Sequence, residues 1–151
     1  MAQVPIGEGE LRALDGTVRE SNDDDMFRIC TTGTTPFSAR ATGTPDLQLF
    51  LMDADGRAVA ANDDESTSSR SASLPAGHAL LPTTAGVYHL AVSAWDNEPA
   101  NNAGGIFRNL KVGVNGPRVP GADPVLRWNS QGRGSTGRYH VALTGARYCP
   151  T

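Results

Sequence analysis

The sequence predicts an all-β domain, and three observations favour that fold class. Apolar residues recur with a period of 2 in short segments, whereas no segment sustains a period of 3.6 over the length of a helix. In addition, 17 Gly and 10 Pro divide the 151 residues into short pieces that turns must join. We therefore expect one domain, residues 1–151, folded as a two-sheet antiparallel sandwich of about seven to nine strands.

The strand candidates follow one another along the chain. Phe27 and Ile29 share a face of the first clear candidate, and Tyr139, Val141 and Leu143 are predicted to point inward from the last. Residues 47–52 are apolar on nearly both faces, which is typical of a strand buried on both sides. The candidates cover residues 25–31, 37–42, 47–52, 57–61, 87–95 and 138–144.

Between residues 96 and 136 the alternating pattern fails. This stretch is rich in Gly and Pro, and only short apolar pieces interrupt it. We interpret it as one long loop, and loops of this length are usually functional or disordered.

Cys30 and Cys149 are the only cysteines in the sequence. An even pair in a chain otherwise free of cysteine favours one disulfide, which would close most of the domain and indicate an oxidising compartment. The alternative is a pair of unrelated reduced thiols.

Composition also excludes some classes of function. The net charge of −3 disfavours nucleic-acid binding, because no basic face is available to neutralise phosphates. No apolar run is long enough to span a membrane. No GxSxG nucleophile elbow occurs, so we predict no catalytic residues and no enzymatic activity.

The order of the motifs resembles the bacterial pre-peptidase C-terminal (PPC) domains, and in particular secreted PPC-like proteins. The resemblance covers about residues 10–149. It is carried by the segments at 46–56 (DLQLFLMDADG), 61–64 (ANDD), 74–77 (LPAG), 86–93 (GVYHLAVS), 96–99 (DNEP) and 137–146 (GRYHVALTGA).

The resemblance implies a jelly-roll-like β-sandwich, secretion or display at the cell surface, and an accessory role beside enzymes or in the envelope. The related collagen-binding domains of clostridial collagenases hold calcium partly in an acidic loop before a strand. The segment from Asn22 to Asp25, just before Met26 and Phe27, is similar to that loop. The collagen-contacting tyrosines have no counterparts here, so collagen binding is not implied.

Acidic loops are the strongest candidates for a metal site, because Ca²⁺ prefers carboxylate and carbonyl oxygens. We predict that calcium, if bound, takes ligands from Asn22, Asp23 and Asp25. Asn and Asp also favour turns for conformational reasons, so Asp53 and Asp55 have the alternative role of shaping a hairpin. The candidates for a second acidic loop are Asp53, Asp55, Asp63 and Asp64.

Trp95 and Trp128 border the long loop. An exposed Trp ring can cover the apolar face of a sugar, which makes both residues candidate ligand contacts. The alternative is that both rings cap the core, where they bury a large area.

Together these features predict a non-catalytic extracellular binding or accessory module, either secreted or at the cell surface. Its ligand would be a polysaccharide, a protein or the cell envelope. The alternative is a structural subunit that self-associates through its sheet edges into a surface layer or filament.

Overall fold

The computed structural model describes residues 2–108 and 112–150, and its regular structure consists of antiparallel strands. Nine of the strands have four or more residues, and three have only two. In chain order the strands are β1 Ala13–Val18, β2 Asp24–Thr31, β3 Ser38–Gly43, β4 Leu47–Asp53, β5 Ala58–Asn62, β6 Ser73–Leu74, β7 Gly86–Ala94, β8 Asn97–Asn101, β9 Gly104–Gly105, β10 Arg127–Ser130, β11 Gly137–Thr144 and β12 Ala146–Arg147.

The strands form two principal sheets. One has four strands in the order β1-β11-β3-β6, and the other has five in the order β12-β2-β7-β4-β5. The predicted antiparallel all-β sandwich is therefore confirmed. The predicted hairpin also forms, because β5 returns along β4 after a turn that begins at Asp53.

The core between the two sheets follows the alternation of the sequence. Tyr139, Val141 and Leu143 of β11 are buried, while the residues between them are exposed, as predicted. Phe27 and Ile29 of β2 are buried in the same core. Because one face of each strand supplies the core, a single hydrophobic cluster joins the two sheets.

β4 differs from this pattern, because it is buried on both faces. Leu47, Leu49 and Leu51 belong to the core between the sheets. Phe50 and Met52 point the other way, into a second cluster on the outer face of the five-stranded sheet.

The cover over this outer face comes from the segment predicted to be one long loop. Residues 96–136 instead contain β8, β9 and β10, which form a third antiparallel sheet in the order β10-β8-β9. Rings from this segment pack on Phe50 of β4, since the centroids of Phe107 and Trp128 each lie 5.5 Å from that of Phe50. β8 and β9 escaped prediction because Pro and Gly interrupt their alternation, and β10 because its four residues are too few to establish one.

Cys30 and Cys149 form the predicted disulfide, with a Cα–Cα distance of 5.1 Å. Cys30 lies in β2, and Cys149 follows β12, which pairs with β2. The bridge thus joins the end of the described chain to the five-stranded sheet.

Asp25 and Tyr139 connect the two sheets through a polar contact inside the sandwich. The Tyr139 hydroxyl donates a hydrogen bond to Oδ2 of Asp25, and Nε2 of Gln3 donates to Oδ1 at 3.3 Å. Tyr139 is only 3% exposed. Burial, together with the hydrogen bond to the Asp25 carboxylate, holds the pKa of Tyr139 well above its usual range.

We predict that removing the disulfide lowers the free energy of unfolding. The bridge spans 119 residues, and closing a loop of this length stabilises a protein by about 4–5 kcal/mol on the chain-entropy estimate. Denaturant unfolding of a Cys30→Ala/Cys149→Ala double variant measures the loss. Reductant should destabilise the parent protein and leave the double variant unaffected; equal stability of the two proteins without reductant would contradict this expectation.

We predict that Tyr139→Phe lowers the free energy of unfolding by about 1–3 kcal/mol, because it removes a donor from the partly buried Asp25 carboxylate. The measurement is chemical denaturation at neutral pH. Tyr88→Phe, at a half-buried tyrosine, is the matched control and should change stability much less. Equal effects of the two substitutions would show that the contact with Asp25 contributes nothing.

Candidate functional site

A row of polar residues crosses one end of the outer face of the five-stranded sheet. Ser93 of β7 pairs with Asp24 of β2 on one side and with Gln48 of β4 on the other. Because Leu49 pairs with Asn62, the next position places Asp63 beside Gln48. The row lies on the same face as Phe50, just beyond the apolar cluster.

The first residues of β8 cover this row. The Ser93 hydroxyl donates to the carbonyl of Asn97 at 2.7 Å, and the Asn97 amide donates to the carbonyl of Asp23 at 3.2 Å. Glu98 accepts a hydrogen bond from the Gln48 side chain, while its burial raises the pKa of its carboxyl group above the usual value. The end of the outer face is therefore polar and largely shielded from water.

Three aspartates converge beside this row. Carboxylate oxygens of Asp46, Asp63 and Asp64 lie within 4.8 Å of one another. Within residues 2–108 and 112–150, this is the one place where three acidic, His or Cys side chains converge in this way. Two unit charges at such a separation repel by roughly 3 kcal/mol at an effective dielectric constant of about 20. Burial, followed by the charge of Asp64, raises the pKa of Asp46, and the charge of Arg70 opposes this shift.

Asn62 holds the backbone that carries two of these acids. Asn62 is almost fully buried, and Nδ2 of its side chain donates to the backbone carbonyls of Asp64 at 3.0 Å and Gly113 at 2.7 Å. Its oxygen accepts from the Ser73 amide at 2.7 Å. The Gly113 amide also donates to the Asp64 carbonyl, at 3.0 Å. The chain that carries Asp63 and Asp64 after β5 is thus held by the buried side chain of Asn62.

A small cavity of about 20 Å³ lies between the row and its cover. Its lining includes Gln48, Asp63 and Glu98, and its size suits one water-sized occupant. Three buried oxygens in this part of the molecule, Oε1 of Gln48 and the Oδ1 atoms of Asp46 and Asp64, accept no hydrogen bond within the described residues. Buried acceptors without a donor are costly, so these oxygens are available to a positively charged partner.

A wider cleft of about 650 Å³ opens next to the cavity. Asp63 and Glu98 line both spaces, and Trp95 and Trp128 line the cleft. Trp95 is 36% exposed, whereas Trp128 is half-buried with its ring against Phe50. Trp128 therefore packs on the outer core, which is one of the two alternatives given for the tryptophans, whereas Trp95 is the more exposed of the two.

Asp96 and Arg133 fix the rim of the cleft. Nε and Nη2 of Arg133 donate to the two carboxylate oxygens of Asp96 at 2.9 and 3.1 Å, and the guanidinium lies 4.9 Å from the centroid of the Trp95 ring. The ion pair holds the pKa of Asp96 below its usual value. Asp96 adopts a positive φ of 73°, a conformation that Asp tolerates better than most residues. The Arg133 guanidinium thus lies over the Trp95 ring and is anchored there by Asp96.

The loop first predicted to bind calcium has other contacts. Oδ2 of Asp23 accepts from the Arg19 amide at 2.9 Å, and both oxygens of Asp25 accept the hydrogen bonds from Tyr139 and Gln3. Asn22 lies in the turn before β2. Asp24 points to the outer face, so alternation along the strand separates it from Asp23 and Asp25.

The second acidic set is divided between the two ends of the β4–β5 hairpin. Oδ1 of Asp53 accepts from the amides of Asp55 and Arg57, both at 2.9 Å, which is the turn-shaping role of such residues. Asp63 and Asp64 follow β5 at the opposite end of the hairpin. The structure brings Asp63 and Asp64 together with Asp46 and not with Asp53 and Asp55.

Sequence reasoning missed four residues of this region: Asp46, Gln48, Glu98 and Arg133. Asp46 and Gln48 flank the start of an apolar strand, and Glu98 and Arg133 lie in the segment predicted to be a loop. The one available signal was Gln48, a polar residue inside an otherwise apolar strand.

Comparison with protein-family models, with curated proteins and with solved structures finds no match to this chain. The part of the chain that the structure describes contains no helix with the length and apolar character needed to cross a bilayer.

We predict that Asp24→Asn raises the melting temperature at pH 7. Burial, then the charges of Asp23 and Asp25, raises the pKa of Asp24, so its ionised form is disfavoured in the folded state. The folded state therefore binds a proton at Asp24 more readily than the unfolded chain does. The destabilisation caused by the ionised carboxylate disappears as the pH falls toward the ordinary pKa of Asp, near 4.

Thermal melts of the parent and Asp24→Asn proteins from pH 7 to pH 3.5 measure this effect. The advantage of the variant should shrink as the pH falls. Asp55→Asn, in the exposed hairpin turn, serves as the control for loss of one surface charge. A destabilised Asp24→Asn protein at pH 7 would mean that the Asp24 carboxylate has a stabilising partner.

Proposed function

We propose that this protein is a non-catalytic extracellular module that binds a neutral polysaccharide in the cleft beside Trp95. The observation that carries the proposal is the Trp95 ring, which is partly exposed in an open cleft and held by Arg133. Sugars present apolar C–H faces that pack on aromatic rings, so a fixed and accessible ring is a suitable platform.

Polar groups around the ring can bind sugar hydroxyls. Glu98 and Asp63 offer acceptors, and the side chains of Asn129 and Gln131 offer both donors and acceptors along the same cleft. Recognition by a mixture of an aromatic platform and fixed polar groups is typical of concave ligand sites.

The charge of the cleft favours a neutral ligand. Its lining contains three carboxylates, those of Asp63, Asp96 and Glu98, and the guanidinium of Arg133 is already paired with Asp96. A polysaccharide rich in carboxylate or sulfate groups would meet net negative charge, and repulsion would weaken its binding.

An extracellular location is supported by the disulfide, because such bonds persist mainly in oxidising compartments. The resemblance to secreted PPC-like proteins supports the same location and an accessory role. A binding module attached to or acting beside other proteins needs no reactive centre of its own.

The sheet edges favour binding over assembly into filaments. The edge strands β6 and β12 have only two residues each, and short edges are poor templates for adding another chain. The edge of β5 is covered, since Ala61 exchanges both backbone hydrogen bonds with Asn115, at 2.8 and 2.7 Å. The longer outer edges are β1 and the part of β2 that β12 does not cover, and Gln3 occupies the latter through backbone hydrogen bonds with Met26 and Arg28 at 2.7 and 2.8 Å.

We predict that Trp95→Ala weakens polysaccharide binding by about tenfold or more, because a Trp anchor contributes a large share of binding energy. Affinity electrophoresis through gels that contain soluble neutral or anionic polysaccharides measures retardation. The control is Leu80→Ala, since Leu80 is 37% exposed but lies outside the cleft lining.

Retardation by a neutral polymer that is lost in Trp95→Ala and kept in Leu80→Ala would support the proposal. Equal retardation of all three proteins, or retardation by anionic polymers alone, would contradict it. Concentration-dependent assembly in size-exclusion chromatography without retardation by any polymer would favour the structural-subunit alternative.

A further inference from the structure

We infer that Asp46, Asp63 and Asp64 form a calcium site, with the amide oxygen of Gln48 as a further ligand. The site lies where β4 begins and β5 ends, at the opposite end of the hairpin from Asp53 and Asp55. Asp63 also lines the neighbouring cleft, but one divalent cation among three carboxylates leaves net negative charge, so the inference does not change the preference of the cleft for a neutral ligand.

Convergence of three carboxylates is the first observation. Their oxygens lie within 4.8 Å of one another, close enough to share one ion. Asn62 holds the chain that carries Asp63 and Asp64, since its side-chain amide donates to the Asp64 carbonyl, and the Asp46 backbone is held by hydrogen bonds with Ser135 and Trp95. A cation bound among carboxylates that lie this close would offset their mutual repulsion.

The buried Gln48 oxygen is the second and independent observation. Gln48 is 4% exposed, and its Oε1 accepts no hydrogen bond within the described residues, while its amide donates to Glu98. Gln48 stands beside Asp63 across the sheet, and both line the same small cavity. A neutral acceptor left without a donor beside Asp63 points to an electrophilic partner next to these two side chains.

Ligand chemistry selects the ion. The converging groups are carboxylates and an amide, all hard oxygen donors, and the group contains no thiolate or imidazole. Such donors favour Ca²⁺ over zinc and copper. Calcium accepts six to eight oxygens in flexible geometry, so carboxylates, one amide oxygen and water can complete its shell.

Terbium luminescence offers a direct assay, because Tb³⁺ occupies calcium sites and is excited by nearby tryptophan. Trp95 and Asp63 line the same cleft, so an ion at this site lies near a donor ring. We expect the parent protein to bind Tb³⁺ with sensitised emission, to release it when Ca²⁺ is added, and to melt several degrees higher in calcium than in EDTA.

Variants locate the ion. Asp46→Asn and Asp64→Asn should each lower the affinity for calcium, measured by displacement of Tb³⁺, about tenfold or more. Each should also abolish the rise in melting temperature that calcium causes. Their melts in EDTA show whether each variant is folded. Asp55→Asn is the matched control, since it removes an acid from the hairpin turn at the other end of β4 and should bind as the parent does.

Asp23→Asn separates this site from the acidic loop before β2. This variant should retain both the sensitised Tb³⁺ emission and the rise in melting temperature that calcium causes. Loss of binding in Asp23→Asn with retention in Asp46→Asn and Asp64→Asn would move the ion to the loop before β2 and overturn the inference. Absence of any calcium effect on the parent protein at millimolar concentration would overturn it as well.

Discussion

Burial of β4 on both faces is the constraint on which the rest of the structure depends. Its Leu residues fill the space between the two sheets, while Phe50 and Met52 project from the outer face. Exposing those two side chains would cost roughly 1.5–3 kcal/mol each. A strand of this kind needs a second cover, and Phe107 and Trp128 contribute to it by packing on Phe50.

The same cover creates the candidate site, because it does not extend evenly over the sheet. The apolar contacts between sheet and cover lie at Phe50 and Met52. Toward the start of β4, at Gln48, the contacts between sheet and cover are polar. Where the apolar contacts give way to polar ones, the carboxylates of Asp63 and Glu98 lie between the sheet and its cover, a position that a fully apolar cover would not accommodate. The cleft of Trp95 and the acidic cluster are therefore two consequences of one incomplete burial.

Local pattern was sufficient to predict the strands of the two main sheets. Alternation identifies the buried residues of β2 and β11, and the Asp–Gly turn identifies the β4–β5 hairpin. The disulfide followed from the count of cysteines, since only one intramolecular pairing is available. These features depend on short segments or on simple arithmetic.

The site depends on register, which local pattern does not reveal. Asp46 and Asp63 flank the predicted β4–β5 hairpin, but they meet because of its exact offset, which an irregularity between Leu51 and Met52 shifts. Glu98 and Arg133 reach the cleft from a segment whose Gly and Pro residues hide its strands. Acidic runs were visible in the sequence, but which of them converge was decided by strand pairing.

The most direct test of this account is an anomalous difference map from crystals grown with calcium or terbium. We expect one peak among the carboxylates of Asp46, Asp63 and Asp64, within coordination distance of the Gln48 oxygen. A peak in the loop before β2, or a map without a peak at the end of β4 and β5, would contradict the claim that the incomplete cover over β4 builds a cation site.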